Sequence, residues 1–125
     1  MSKEKMTIWG RDFELDVCME CYPGETVLDS QENALTALLK AADSIETAKK
    51  QVEEYVMANN KHSFPDGKMD NIFRYVMPVS ILVPHNKKRS LAAILCNFRF
   101  DMEHGLAIVF ENGAFQSVGP QDSIL

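Results

Sequence analysis

The sequence predicts an α+β domain: an antiparallel sheet of about six strands, ordered β-β-α-α-(α)-β-β-β-β, with a helical block on one face. Three observations carry that expectation. Residues 12–21 alternate polar and apolar at period two, residues 30–59 repeat apolar positions at helical spacing, and residues 80–118 return to short strand patterns broken by turn residues. Strand runs on either side of one helical block pack as layers, sheet against helices. A chain of 125 residues, 46% hydrophobic and 25% charged, can close one core and is read as a single domain over residues 1–125.

Residues 6–21 read as a β-hairpin turning at Trp9-Gly10-Arg11-Asp12. Beyond the turn, Phe13, Leu15, Val17, Met19 and Cys21 belong to a packed face, and Asp12, Glu14, Asp16, Cys18 and Glu20 to a wet one. Tyr22-Pro23-Gly24-Glu25 then breaks the strand. Asp29 and Glu32 have the spacing of a capping box for a first helix with the stripe Leu35, Leu38, Leu39 and Ala42. Asp43-Ser44 re-caps a second, with Ile45, Ala48, Val52, Tyr55 and Val56 inward and Asn59-Asn60 as its stop. The pattern fits a helical hairpin or a kinked pair; it does not decide whether the two helices are continuous.

Residues 61–70 are polar and hold the turn Pro65-Asp66-Gly67. Residues 71–77 form a short helix that Pro78 ends. Residues 80–83 and 90–100 are strands, the second with Ala92, Ile94, Cys96, Phe98 and Phe100 on one face. After a turn at 101–105, Leu106, Ile108 and Phe110 alternate toward Asn112-Gly113, the strongest hairpin signal in the chain, and residues 114–118 return. Gln121 and Asp122 precede Ile124-Leu125, a pattern that pins the C-terminus, with Asp122 accepting backbone N–H groups.

Composition excludes several classes. Hydrophobic content is too high for a disordered chain, and no apolar run approaches the roughly 20 residues that span a bilayer. The start, Met1-Ser2-Lys3-Glu4-Lys5, is charged rather than an apolar signal region, so a cytoplasmic setting is expected. Three cysteines, Cys18, Cys21 and Cys96, argue for reduced thiols rather than a disulfide framework. Cys18-Met19-Glu20-Cys21 has C-x-x-C spacing. In an extended strand, however, residues three apart face opposite ways, so neither a redox pair nor a metal site is expected, and no cofactor.

Charge is uneven. Residues 1–60 carry 12 acidic and 6 basic side chains, residues 61–125 carry 6 and 7, and no Lys or Arg falls between Asp12 and Leu39. The acidic balance and the shortness of the basic loop Lys87-Lys88-Arg89 argue against nucleic acid as a partner.

Residues Asn71-Ile72-Phe73-Arg74-Tyr75-Val76-Met77-Pro78, His104-Gly105-Leu106-Ala107-Ile108-Val109-Phe110-Glu111-Asn112-Gly113 and Gly119-Pro120-Gln121-Asp122-Ser123-Ile124-Leu125 carry a family likeness. The chain resembles a small bacterial domain family of unknown function, loosely associated with immunity-like proteins of polymorphic toxin systems. The resemblance runs over nearly the whole chain; it implies a stand-alone bacterial protein and supplies no catalytic residues.

Three functional readings follow. In the first, a non-enzymatic immunity-type protein presents Asp12, Glu14, Asp16, Glu20 and Glu25 to a basic toxin domain, because a row of carboxylates steers a cationic partner. In the second, a small hydrolase or metal-dependent enzyme uses Asp101, Glu103 and His104, two carboxylates and an imidazole, converging with Arg99 or Tyr75. The residue types also suit a solvated turn, and no triad, phosphate loop or His-Glu-x-x-His accompanies them. In the third, seven methionines and seven phenylalanines are more than a chain this size needs at its surface, and some of them line the interface of a structural or oligomerising module such as a homodimer.

Overall fold

In the computed structural model, which describes residues 2–21 and 23–123, the chain runs β1 (Ser2–Ile8), β2 (Arg11–Met19), α1 (Asp29–Leu39), α2 (Ala42–Asn59), β3 (Val76–Val83), β4 (Leu91–Phe98), β5 (Leu106–Glu111) and β6 (Ala114–Gly119). The six strands form one sheet in sequence order. The β1–β2 and β5–β6 hairpins close through two-residue turns with positive φ, Trp9 (51°) with Gly10 (81°) and Asn112 (51°) with Gly113 (83°), the mirror-image turn geometry that matches strand twist. Trp9 is held in this unfavourable region by its ring, which is buried, donates Nε1–H to the Ile45 carbonyl at 2.9 Å and packs 5.8 Å from Phe73.

The sheet is mixed, which corrects the antiparallel expectation. β2 and β3 pair in parallel, Asp16 beside Ser80 through Met19 beside Val83, while every other neighbouring pair is antiparallel. The long connection between them holds both helices, which is the kind of crossover a parallel pair requires. β1 also begins earlier than residue 6. Lys3 and Lys5 are exposed along this edge strand, where charge discourages pairing with another chain.

The helices are separate, broken at Lys40 and Ala41. α2 buries Ile45, Ala48, Val52 and Val56, as its spacing predicts. α1 buries Gln31, Ala34 and Leu38 instead; Leu39 and Ala42 are exposed, and Leu28 rather than Asp29 is the N-cap. The helix is rotated because Gln31, not a leucine, is drawn inward by hydrogen bonds described below.

The short helix expected over 71–77 is one 3₁₀ turn, Ile72–Arg74, capped by the Asn71 side chain accepting from Phe73 N at 3.0 Å. β3 starts at Val76 and runs through Pro78, which the strand accommodates by a register shift between Pro78 and Ser80. Phe100 lies past the end of β4, half-buried.

One core lies between the helices and one sheet face. Ala34, Leu38, Ile45, Ala48, Val52 and Val56 meet Leu15, Val17, Ile81, Val83, Ile94, Ile108 and Phe110. Each fully buried aliphatic contributes about 1.5–3 kcal/mol. Among the described residues no helix is long and apolar enough to cross a membrane. Ile124 and Leu125, expected to pin the C-terminus, lie outside the described residues. The segment just before them is tied by Gln121: its N donates to the His104 carbonyl at 3.1 Å and its Nε2 to the Cys96 carbonyl at 3.0 Å.

Candidate functional site

The opposite sheet face has no helix over it among the described residues, and its side chains follow from strand parity. On β2, Asp12, Glu14 and Asp16 are all exposed, as expected. They do not form an unbroken negative stripe. Across the β1–β2 register, Thr7 faces Asp12, Lys5 faces Glu14 and Lys3 faces Asp16. Lys3 Nζ sits 3.8 Å from both Glu14 Oε1 and Asp16 Oδ1, and Thr7 Oγ1 donates to Asp12 Oδ1 at 2.7 Å. Such exposed pairs contribute little to stability. Their effect is on the field, which they divide into a lysine row on β1 beside a carboxylate row on β2.

The remaining two predicted partner-binding residues sit apart from that row. Glu20, half-buried, follows β2 and donates its backbone N–H to the Val83 carbonyl at 2.9 Å. Glu25 lies in the β2–α1 loop with Oε2 2.9 Å from Nε2 of His85, whose side chain is only 4% exposed. Ser30 Oγ donates to the Asn86 carbonyl at 2.9 Å, a second link from the α1 end to the segment after β3. Glu25 is therefore a strap on its own loop, not part of the displayed row.

Continuing across the same face, the polar row gives way to an apolar band. Leu82, Leu91, Ala93, Leu95, Ala107 and Val109 alternate with core residues on β3, β4 and β5, and Ala93, Ala107, Val109, Leu91 and Leu95 form a cluster separate from the main core. Ala93 and Ala107 are shielded by their neighbours, Leu91 and Leu95 are half-buried, and Met77 (36%) and Val79 (44%) are exposed on β3. Sequence reasoning missed this band. The signal was present: Leu91-Ala92-Ala93-Ile94-Leu95 and Leu106-Ala107-Ile108-Val109-Phe110 are continuous apolar runs, the pattern of strands covered on both faces rather than one.

The structure assigns Asp101, Glu103 and His104 to a turn. Asp101 Oδ1 accepts the His104 backbone N–H at 3.2 Å, the Asp101 carbonyl accepts Gly105 N–H at 2.9 Å, and His104 Nδ1 lies 3.0 Å from Asp101 Oδ2. The Asp101 carboxyl is held below its ordinary range chiefly by that backbone N–H, and the His104 imidazole is raised chiefly by its hydrogen bond to Asp101. Glu103, His104 and Arg99 are exposed. A groove of about 540 Å³ lies along Lys5, Met6, Thr7, Asp12, Phe13 and Glu14, and one of about 250 Å³ lies between residues 63–70 and Tyr75. Neither is lined by Asp101, Glu103 or His104, so the expected convergence with Arg99 or Tyr75 around a pocket is not what these hollows contain.

Cys18 and Cys21 are both exposed; Cys21 lies past the end of β2 instead of on its packed face. Cys96 is buried, which pushes its thiol well up and keeps it protonated. Among the described residues, no three of His, Cys, Asp and Glu group in a way that could hold a metal ion.

No curated protein and no solved structure matches the chain. The family described as a domain of unknown function, DUF6985, matches residues 2–125, and the chain belongs to that family.

Proposed function

We propose that this protein is a small non-enzymatic binding domain of the immunity type, acting in a bacterial cytosol and docking a basic protein on the helix-free face of its sheet. The observation that carries the reading is the adjacency of two surfaces on that face, an exposed carboxylate row on β2 and an apolar band on β3–β5. Protein interfaces combine an apolar centre that loses water with a polar border that sets orientation. The band supplies the first and Asp12, Glu14 and Asp16 the second. Lys3 and Lys5 weaken the negative field without cancelling it, three carboxylates against two ammonium groups. Charge then governs approach, and the band governs lifetime.

The test uses the protein encoded beside this one as the partner. Binding is measured by surface plasmon resonance at rising salt. The double change Glu14→Lys with Asp16→Lys is expected to slow association by about tenfold at low salt, with little effect on dissociation. The change Val79→Lys is expected to speed dissociation. A neighbour that does not bind, or association indifferent to both salt and the Glu14/Asp16 reversal, overturns the immunity reading.

A further inference from the structure

We propose that in the absence of that partner the helix-free face is covered by a second copy of this chain, packed sheet against sheet about a two-fold axis running along β4. The inference rests on reading this face as a docking surface, and it names what occupies the face at rest. Its first support is the pair of two-sided apolar strands. β4 and β5 carry apolar residues toward both faces, yet among the described residues only one face is packed against helices. Strands of that composition belong in the middle of a three-layer arrangement. Apposed sheets of two copies supply the missing layer, at the usual spacing of about 10 Å. Ala93 and Ala107 at the centre keep the surface low enough for that approach.

Charge does not oppose a like copy in this geometry. An axis along β4 sets β4 against β4, β3 against β5, and β2 against β6. The outward residues of β6 include Ser117 and Gly119, opposite Val109 and Ala107 in register, so the carboxylate row of one copy meets no carboxylate row of the other. The Glu111 carboxylate at the end of β5 is already paired with Arg89, at 3.0 and 3.1 Å. The lysine row of β1 falls outside the overlap and stays in water.

Size sets the strength. Five overlapping strands of about six residues cover about 24 by 20 Å, or about 480 Å² a side. The total of about 1,000 Å² sits at the lower limit for a specific interface and suits a reversible association that a partner can displace. Dimer formation and partner binding are then mutually exclusive uses of one face.

Sedimentation equilibrium on the full chain, from about 1 to about 300 µM, tests this directly by mass action. The expected result is a mass that rises from monomer toward dimer across that range. The surface double change Met77→Lys with Val79→Lys should keep the chain monomeric at every concentration, with its circular dichroism unchanged. Met102→Lys, at a 70% exposed position on the turn after β4, should leave association intact. A wild-type chain that stays monomeric throughout, or a dimer indifferent to the Met77/Val79 change, overturns the proposal. A monomer that still binds the neighbouring protein in the manner described above leaves the functional reading standing and removes only the second copy. A dimer with no partner binding does the reverse.

Discussion

At the scale of single residues, the most consequential side chain is one that sequence patterning treats as solvent. Gln31 is only 1% exposed. Its Nε2 donates to the Glu20 carbonyl at 2.7 Å and to the Val83 carbonyl at 3.1 Å, and its Oε1 accepts from Leu28 N at 2.9 Å. One amide thus joins the ends of β2 and β3 to the start of α1. Gln31→Leu keeps the volume but strips partners from buried backbone groups, and should lower the unfolding free energy by about 2–4 kcal/mol. Gln31→Glu should be no milder, because it sets a carboxylate oxygen against two carbonyl oxygens. Urea denaturation reads both; a loss below about 0.5 kcal/mol for the leucine variant contradicts this role. At Asp101 and His104 the prediction concerns pH. The raised imidazole stabilises the turn below the ordinary histidine range and loses that contribution as pH rises through its folded value. The depressed carboxyl contributes above the ordinary aspartate range and loses its share as pH falls through its folded value. Asp101→Asn should therefore return the His104 titration, followed by NMR, toward its ordinary value. An unchanged titration midpoint would show that Asp101 is not the cause.

At the scale of elements, the β1–β2 and β5–β6 turns were legible for a physical reason: Asn-Gly and a Gly after Trp suit the positive φ that a two-residue turn demands. The α2 stripe was legible because packing and periodicity agree there. Elsewhere they diverge. Pro78 reads as the end of a helix, yet the ring is tolerated inside β3 where the pairing shifts by a residue. Asp29 reads as a cap, yet the chain enters α1 through Leu28 because Gln31 bonds its N–H. The turns also separate two costs that sequence alone merges. A Cβ at Gly10 would meet nothing within 4 Å, whereas at Gly113 it would lie 2.9 Å from the Ala37 carbonyl of α1. Gly10→Ala should cost only the left-handed backbone penalty, about 1–2 kcal/mol. Gly113→Ala adds a collision with a helix and should cost distinctly more, with a thermal midpoint several degrees below that of the Gly10 variant. Equal midpoints would mean that α1 does not crowd the β5–β6 turn.

At the scale of the whole molecule, the parallel β2–β3 pair explains why topology was only partly readable. Alternation records which face a side chain takes, and that record is the same whichever way the neighbouring strand runs. The carboxylate row was visible for this reason, while the lysines interleaved with it were not, since they come from a strand whose register only the fold supplies. The apolar band was hidden differently: period-two reading assigns one face inward and passes over the small residues between. Both features place the most protected backbone in the middle of the sheet. β4 and β5 have paired neighbours on each side and apolar side chains on each face; β1 and β6 are edges, and β1 carries charge along its length. Local opening should follow that gradient. Native-state hydrogen exchange is expected to find the amides of Ala93, Ile94, Ala107 and Ile108 slowest, exchanging only through global unfolding, and those of Lys3 and Lys5 that face away from β2 fastest. The same gradient also bears on the dimer. If the helix-free face is covered, raising the protein concentration should slow the β4 and β5 amides further while leaving β1 unchanged, because mass action stabilises only the state that buries the band. Greatest protection in the β1–β2 hairpin would place the stable nucleus at the edge and contradict a sheet built outward from its two-sided central strands.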